Sequence, residues 1–172
     1  MSQPTAATPY PQGIAQLPEL SYPPTPLPAE ALAPGWQVRL PVSHLTEEEI
    51  VHFGKMLDPQ PIHIDPEYGK NSSFGTIIAS GLHPYIHYHT QYWVPLVKEH
   101  FISGLSWDGV KFEHPILPNQ AFYGVYTIHS LVPKPEKGTA VLHWLMDLYR
   151  AADHVHMQRA QWTVYHRYPH SA

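Results

Sequence analysis

The sequence predicts an α+β fold in which an antiparallel sheet wraps around one central helix. Two observations lead to this prediction. Residues 80 to 94 form one largely apolar and aromatic stretch with the length of a buried helix. Four strand-like segments separated by short turns then occupy residues 107 to 167, at the spacing of an antiparallel meander. A sheet with one hydrophobic face can wrap such a helix and bury it.

The length and composition fit one domain and exclude several function classes. The chain has 172 residues, of which 43% are hydrophobic, and a formal net charge of −4. There is no basic block, so nucleic acid is not an expected partner. Cysteine is absent, which excludes disulfides, a thiol nucleophile and thiolate metal sites. No apolar run reaches the roughly 20 residues of a membrane span, and no secretory signal is visible, so we expect a cytoplasmic protein without membrane contact.

The N-terminal 34 residues differ from the rest of the chain in composition. They contain nine of the 20 prolines, which fix the backbone and remove hydrogen-bond donors. We therefore predict an extended or disordered Pro-rich arm over residues 1 to 34 and a folded domain over residues 35 to 172. A solvated or draped arm is favoured over a ligand for an SH3-like groove.

The elements before the central helix carry clear local signals. Residues 36 to 40 alternate like a strand. Thr46 and Glu49 have the spacing of a capping box, which predicts a helix over about residues 47 to 57. Residues 58 to 76 are rich in turn-forming residues and predict an irregular connection.

The boundaries of the central helix and of the strands follow from glycine and proline. Pro84 is compatible only with the first turn of the helix, and Pro95 is expected to end or kink it. The predicted strands cover residues 107 to 113, 121 to 132, 139 to 149 and 155 to 167, and turns separate them.

A carboxylate and an imidazole lie five residues apart in the irregular connection, at Asp58 and His63. Pro59 and Pro61 stiffen the backbone between them, which helps to hold two titratable groups near one reacting centre. The alternative is that Asp58 caps the preceding helix and His63 bonds locally. Composition alone favours that alternative.

The start of the central helix offers a second candidate feature. The run from Phe74 to Gly81 leads into a helix N-terminus, where free N–H groups suit a developing oxyanion such as a thioester enolate. Gly81 has no side chain, so a ligand carbonyl can approach its N–H. Close packing of helix on sheet explains the same glycine, and both explanations can hold.

These residues together resemble a known family. Asp58-Pro-Gln-Pro-Ile-His63-Ile-Asp65, followed by Phe74-Gly-Thr-Ile-Ile-Ala-Ser80-Gly81, is similar to the signature of MaoC-like dehydratases. These are hot-dog-fold (R)-specific enoyl-CoA hydratases and 3-hydroxyacyl-thioester dehydratases. The segment from Trp107 to Pro118 resembles the strand and turn that this family carries later in the chain. The resemblance covers about residues 35 to 168.

The resemblance implies an activity and a set of site residues. The catalytic Asp and His fall on Asp58 and His63, with His63 exchanging the Cα proton and Asp58 handling the hydroxyl or water. Gly81 falls on the glycine whose N–H binds the thioester oxygen, and Ser80 occupies a position beside it. Gln60 stands where many hydratases have Asn, and this longer amide can still orient water.

The resemblance also implies partners. The expected substrate is an acyl-CoA or acyl carrier protein thioester of fatty acid metabolism, with no cofactor and no metal. Members of this family usually dimerise with the pocket near the subunit boundary, so a homodimer or higher homo-oligomer is expected. The turn at Asn119-Gln120 departs from the usual Pro-Gly-Asp, but Asn tolerates the left-handed conformation that such turns use.

Three other interpretations compete with a hydratase. His83 and His87 have a metal-ligand spacing on the helix, but no third ligand is evident, and His83 is expected to line the acyl pocket or cap the helix. A hot-dog thioesterase commonly carries an acid on the central helix, whereas residues 81 to 98 contain none. A non-catalytic acyl-thioester-binding protein need not keep both Asp58 and His63.

The aromatic residues of the predicted helix have two possible roles. They can shape an acyl tunnel, in which case their bulk hints at a short or aromatic-bearing acyl group. Ordinary core packing is the alternative and is favoured for most of them. The residues concerned are Tyr85, Tyr88, Tyr92 and Trp93.

Overall fold

The computed structural model describes residues 13 to 168, which form five strands, five α-helices and several short turns of other helix types. The strands are β1 (Gln37–Arg39), β2 (Phe101–Phe112), β3 (Phe122–Lys134), β4 (Thr139–Arg150) and β5 (His156–Arg167). The helices are α1 (Glu47–Leu57), α2 (Pro61–Ile64), α3 (Pro66–Lys70), α4 (Leu82–Tyr88) and α5 (Val94–Val97). Within this part of the chain, no helix has the length and hydropathy needed to cross a membrane.

The five strands form one antiparallel sheet in the order β1-β3-β4-β5-β2. The predicted α+β architecture is confirmed. The meander prediction holds for β3, β4 and β5, whereas β2 pairs with β5 at the edge opposite β1. The helical connection between β1 and β2 crosses the sheet and so delivers β2 to the far edge.

Strand β2 begins at Phe101, six residues before the predicted start at Trp107. Most of its side chains are exposed in the monomer, on both faces of the strand. Its first half, residues 101 to 106, lacks the alternation of apolar and polar residues that marks a half-buried strand, so the sequence pattern does not predict it.

The helix-facing side of the sheet is built by alternating residues. In β4, every second side chain from Ala140 to Leu148 is fully buried. These side chains meet the central helix, where the Trp93 ring stacks on Trp144 at a centroid distance of 3.9 Å. The Tyr126 hydroxyl donates a hydrogen bond of 3.0 Å to the Tyr88 carbonyl and ties sheet to helix.

The central helix runs from α4 through a π-helical turn (His89–Trp93) into α5. The predicted buried helix is confirmed. Pro95 does not end it, contrary to one of the two predicted outcomes, because the helix continues to Val97. Pro95 lies in the first turn of α5, where its missing N–H is tolerated. In the π turn before it, N–H groups pair five residues back, as the Val94 N–H does with the His89 carbonyl.

Helix α1 begins as the sequence predicts. Glu49 N–H donates to the Thr46 hydroxyl, and the Glu49 carboxylate accepts from the Thr46 N–H, which completes a capping box. The connection after α1 is less irregular than expected, because it contains α2 and α3. Both start at a proline, Pro61 and Pro66, whose fixed φ suits the first helical position.

The described part of the Pro-rich segment drapes over the domain. Residues 1 to 12 of the expected arm lie outside the described residues. Ile14 is buried with Tyr123 and Tyr149 on the sheet face that points away from the helix. Leu32 is buried in the main core, and the Leu27 N–H donates to the Leu96 carbonyl at 3.0 Å. The domain boundary at residue 34 stays a prediction.

Candidate active site

The loop after α1 holds the candidate catalytic pair. Asp58 lies at the C-terminal end of α1, and His63 lies in α2, one short turn later. Gly54 lets α1 approach this loop closely, since a Cβ at Gly54 would lie 2.7 Å from Ile64 Cγ2 and 3.1 Å from the His63 carbonyl oxygen. The glycine therefore helps to place His63 beside the end of the helix that carries Asp58.

Asp58 and His63, five residues apart in the chain, face each other in the structure. His63 Nε2 lies 3.4 Å from Asp58 Oδ2. The same carboxylate oxygen accepts a hydrogen bond of 2.6 Å from the Ser80 hydroxyl, and Oδ1 accepts one of 3.1 Å from the Gln60 amide. Four of the six predicted site residues therefore belong to one cluster, and Asp58 is at its centre.

A backbone carbonyl fixes the protonation pattern of His63. The Ile78 carbonyl oxygen lies 2.8 Å from His63 Nδ1 and can only accept, so Nδ1 carries a proton. Nε2 is then the atom that gains or loses a proton, and it is the atom that faces Asp58. His63 is 7% exposed, whereas the Asp58 side chain is 23% exposed, so solvent reaches the pair from the carboxylate side.

The strand-like segment before the central helix holds the third member of the cluster. The Ile78 N–H donates to the Ile62 carbonyl at 3.1 Å, and the Ala79 N–H donates to Ile116 at 2.9 Å. Ser80 follows and is buried, with its hydroxyl shared between Asp58 and the Leu82 N–H. The N-terminus of α4 is thereby fastened to the loop that carries the pair.

Gly81 lies directly beside this cluster, at the N-cap of α4. A Cβ at this position would overlap the ring of Phe112 from strand β2. Glycine here lets the Phe112 ring lie against the helix, whatever ligand its N–H binds.

The hydrogen bonds of the cluster favour the ionised form of Asp58. The Ser80 hydroxyl lowers the pKa of Asp58 below its ordinary value, and the Gln60 amide and the nearby His63 act in the same direction. Burial acts in the opposite direction and is second in size to the Ser80 hydrogen bond, but the pKa of Asp58 is still lowered. Asp58 is thus a carboxylate at neutral pH, able to accept a proton.

His83 occupies a different environment from the other predicted site residues. Its ring stacks on Phe53 of α1 at a centroid distance of 4.2 Å, and its Nδ1 is buried without a partner among the described residues. Burial lowers the pKa of His83 to about 4, so the ring is neutral. No hydrogen bond joins it to Asp58 or His63 within residues 13 to 168, and its binding role stays a prediction.

The remaining histidine on that helix face has only protein partners. His87 Nε2 lies 2.8 Å from the Ser43 hydroxyl, and Nδ1 lies 3.2 Å from the Gln91 amide. Among residues 13 to 168, no group of three or more His, Cys, Asp or Glu side chains is placed to hold a metal ion.

Two contacts of the site were not singled out from the sequence. The Ile78 carbonyl carries no side-chain signal, since any residue supplies a carbonyl. Phe112 lies within the strand motif that resembles the family, but only the sheet register places its ring over Gly81.

Comparison with known proteins identifies a family for the chain. The family model of the MaoC-like domain matches residues 31 to 136, which include the candidate site. No curated protein matches the sequence.

Solved structures give the same fold. The MaoC-like dehydratase of Rhodospirillum rubrum superposes with a TM-score of 0.70 at 24% identity, over 83% of this chain and 99% of that chain. The R-hydratase PhaJ1 of Pseudomonas aeruginosa superposes with a TM-score of 0.63 at 16% identity, over 85% and 88%. The HadBC (3R)-hydroxyacyl-ACP dehydratase complex of Mycobacterium tuberculosis does so with 0.63 at 14%, over 77% and 96%. At these identities the likeness establishes the fold and leaves the substrate open.

The family match covers more than half of the chain, and the sheet and helix have the hot-dog arrangement of the solved neighbours. The chain therefore belongs to the MaoC-like dehydratase family and has the hot-dog fold.

Proposed function

We propose that this protein is a hydro-lyase that interconverts a trans-2-enoyl thioester and an (R)-3-hydroxyacyl thioester. The observation that carries the proposal is the facing pair of His63 Nε2 and Asp58 Oδ2, 3.4 Å apart beside Gly81. Hydration of a conjugated thioester needs one group that exchanges the Cα proton and one that handles water. The family membership and the names of the structural neighbours support this reaction class.

The pair divides the proton transfers of hydration. The Asp58 carboxylate takes a proton from water as the water oxygen bonds to Cβ. The protonated His63 releases its Nε2 proton to Cα, which removes the negative charge of the enolate. The proton on Asp58 then passes to His63, which restores the starting state, and dehydration follows the same steps in reverse.

The neighbouring groups serve this chemistry by holding charge and water. The Gly81 N–H binds the thioester oxygen, where negative charge develops in the enolate. The Gln60 amide, bonded to Asp58 Oδ1, orients the attacking water. Ser80 keeps Asp58 ionised through its 2.6 Å hydrogen bond. His83 is proposed to border the acyl group from the α1 side. None of these roles needs a cofactor or a metal.

We further propose that the protein is a homodimer that binds CoA or acyl carrier protein thioesters. Strand β2 is an unpaired sheet edge with several exposed large apolar side chains, which is the kind of surface that a second copy covers. Light scattering of the full chain is expected to give twice the 19.6 kDa of one chain, and a stable monomer contradicts the dimer. The apolar residues of this edge are Phe101, Ile102, Leu105, Trp107 and Phe112.

The reaction is tested by hydration of trans-2-enoyl-CoA, followed as loss of the conjugated-thioester absorbance. The wild type is expected to turn over, and His63→Ala is expected to lose about a hundredfold or more in kcat/KM. A thiol reagent in the same assay detects free CoA. Thiol release without loss of the enoyl group indicates thioester hydrolysis and contradicts the proposed function.

A further inference from the structure

The central helix presents one row of residues to the sheet, starting at the candidate site. Gly81, Tyr85, His89 and Trp93 follow at intervals of four residues. Each of them contacts aromatic side chains of the sheet. An acyl chain held at Gly81 would follow this row if it extended inward between helix and sheet.

The opposite wall of that path is a row of three tryptophans on neighbouring strands. Trp107 of β2 pairs with Trp162 of β5, which pairs with Trp144 of β4. Their rings are stacked, with centroid distances of 5.2 Å for Trp107 to Trp162 and 4.5 Å for Trp162 to Trp144. We call these three residues the tryptophan row.

Side chains of the central helix pack directly against the tryptophan row. The Tyr85 ring makes edge contacts with Trp162 at 5.6 Å and with Trp107 at 6.1 Å, and Tyr85 is fully buried. One turn further on, Trp93 stacks on Trp144 at 3.9 Å. Rings at these distances are in contact and leave no space for an alkyl chain between them.

A small cavity of about 170 Å³ lies at the far end of the helix, where His89, Trp93 and Phe101 are among its lining residues. The other sides of His89 and Trp93 face Trp144. The row of rings therefore separates this cavity from Gly81.

We propose that Tyr85 and Trp162 limit the acyl group to a short chain, so that the substrate class is a short-chain enoyl thioester of about four carbons. This inference rests on the proposed function for the position of the thioester at Gly81. A longer alkyl chain has to displace Tyr85 or Trp162, which are packed in a close stack. The two residues act on specificity, and neither touches the reacting Cα or Cβ.

The test measures binding as well as turnover, so that the length limit and the hydratase reaction are judged separately. Dissociation constants of butyryl-CoA and octanoyl-CoA, which have no double bond to hydrate, are measured by calorimetry. The kcat/KM values of the C4 and C8 enoyl-CoAs are measured beside them. The wild type is expected to prefer C4 over C8 by at least about tenfold in both measurements.

The variant Trp162→Leu is expected to raise the C8-to-C4 ratio at least about tenfold, because it removes a ring that packs against Tyr85 and leaves room there for further carbons. Trp162→Phe is the milder version if the first variant folds poorly. Tyr85→Phe keeps the ring and should keep the limit. Trp36→Leu is the matched control, since Trp36 packs on the same core, outside the tryptophan row, and its loss should leave the ratio unchanged.

The possible outcomes separate the two proposals. A C4 preference in binding without turnover of either enoyl-CoA supports the length limit and contradicts the hydratase reaction. Equal affinity for both acyl-CoAs, binding of neither, or the same ratio in the wild type and in Trp162→Leu overturns the length limit.

Discussion

Two of the carboxylate–imidazole contacts among residues 13 to 168 are built in opposite ways. One is Asp58 with His63, in the loop beside the central helix. The other is Asp147 with His156, on the sheet face that points away from the helix. In both pairs a histidine nitrogen faces a carboxylate oxygen, at 3.4 Å in the first and 2.7 Å in the second.

The second pair is saturated with hydrogen bonds. Asp147 accepts from Arg159 Nε at 2.6 Å and from Arg159 Nη2 at 3.0 Å, in addition to His156 Nε2. The other nitrogen of His156 lies 3.2 Å from Glu113. Burial opposes the charge on His156, but Asp147 and Glu113 outweigh it and raise the pKa of the imidazole. All of these groups have protein partners, which suits a structural role.

In the first pair, His63 Nε2 has no close hydrogen bond to Asp58. Asp58 has neutral hydrogen-bond donors, Ser80 and Gln60, and no arginine within residues 13 to 168 forms an ion pair with it. His63 has its Nδ1 bonded to a carbonyl, while Nε2 lies too far from Asp58 for a good hydrogen bond. The proposed catalytic pair is thus held in place at His63 Nδ1 and incompletely bonded at Nε2, whereas both nitrogens of His156 have carboxylate partners.

The largest expected effect is on enoyl-CoA hydration, and it is tested by replacing the aspartate of each pair with asparagine. Asp58→Asn keeps the size of the side chain and removes the proton acceptor, so enoyl-CoA hydration should fall about a thousandfold with little change in stability. Asp147→Asn should leave kcat/KM within about threefold. It should lower the free energy of unfolding by about 2 kcal/mol, because the buried carboxylate no longer balances Arg159 and His156.

Both variants are measured by steady-state kinetics and by urea unfolding. The comparison fails if Asp147→Asn loses activity as severely as Asp58→Asn while remaining folded. It also fails if a folded Asp58→Asn keeps the wild-type rate.

The second expected effect concerns stability and its dependence on pH. Arg159→Met leaves the buried Asp147 with His156 as its remaining charged partner. A raised histidine pKa gives stabilisation that is present below the unfolded pKa, near 6.5, and is lost as pH rises through the folded pKa. The loss of unfolding free energy should therefore be about 2 kcal/mol at pH 8.5 and clearly smaller at pH 6, after allowance for the exposed part of Arg159.

Urea unfolding of the wild type and of Arg159→Met at both pH values gives this difference. An Arg159→Met variant that loses the same free energy at pH 6 and at pH 8.5 shows that His156 does not compensate for the missing arginine. His156→Gln in the Arg159→Met background is the control, since it should remove the pH dependence.

The two pairs also differ in how far the sequence predicts them. Asp58 and His63 are five residues apart in a stiff, motif-bearing loop, so local sequence identifies them. Asp147 and His156 are brought together by the pairing of β4 with β5, which has a bulge between Leu148 and Tyr149. A bulge changes which side chains share a face. Alternation along either strand therefore does not reveal that the network exists.

The same reasoning explains the successes and failures in the fold. The capping box at Thr46 and the apolar stretch of the central helix are local signals, and both elements form as predicted. The helix passes Pro95 after a π turn, and the edge position of β2 follows from the connection across the sheet. Packing and long-range topology are not contained in a window of local sequence.

The smallest expected effect sharpens the comparison by changing the donors on Asp58. Ser80→Ala removes the 2.6 Å hydrogen bond that contributes most to the lowered pKa of this carboxyl, so the pKa of Asp58 should rise. If Asp58 must be ionised to accept a proton from water, the acidic limb of the kcat/KM profile for hydration should move to higher pH. The rate at pH 8 should fall about tenfold or less, since the carboxylate is still ionised there.

Ser80→Thr retains a hydroxyl at the same position and should restore the wild-type limb, which a purely structural role for Ser80 would not predict. The sign follows from the depressed pKa: ionisation of Asp58 is complete above its ordinary range and is lost only as pH falls through the lowered value. An acidic limb at the same pH in the wild type and in Ser80→Ala would mean that another group controls the rate at low pH. The Ser80 hydrogen bond would then have a structural role, like the hydrogen bonds of Asp147, and the reaction would not depend on it.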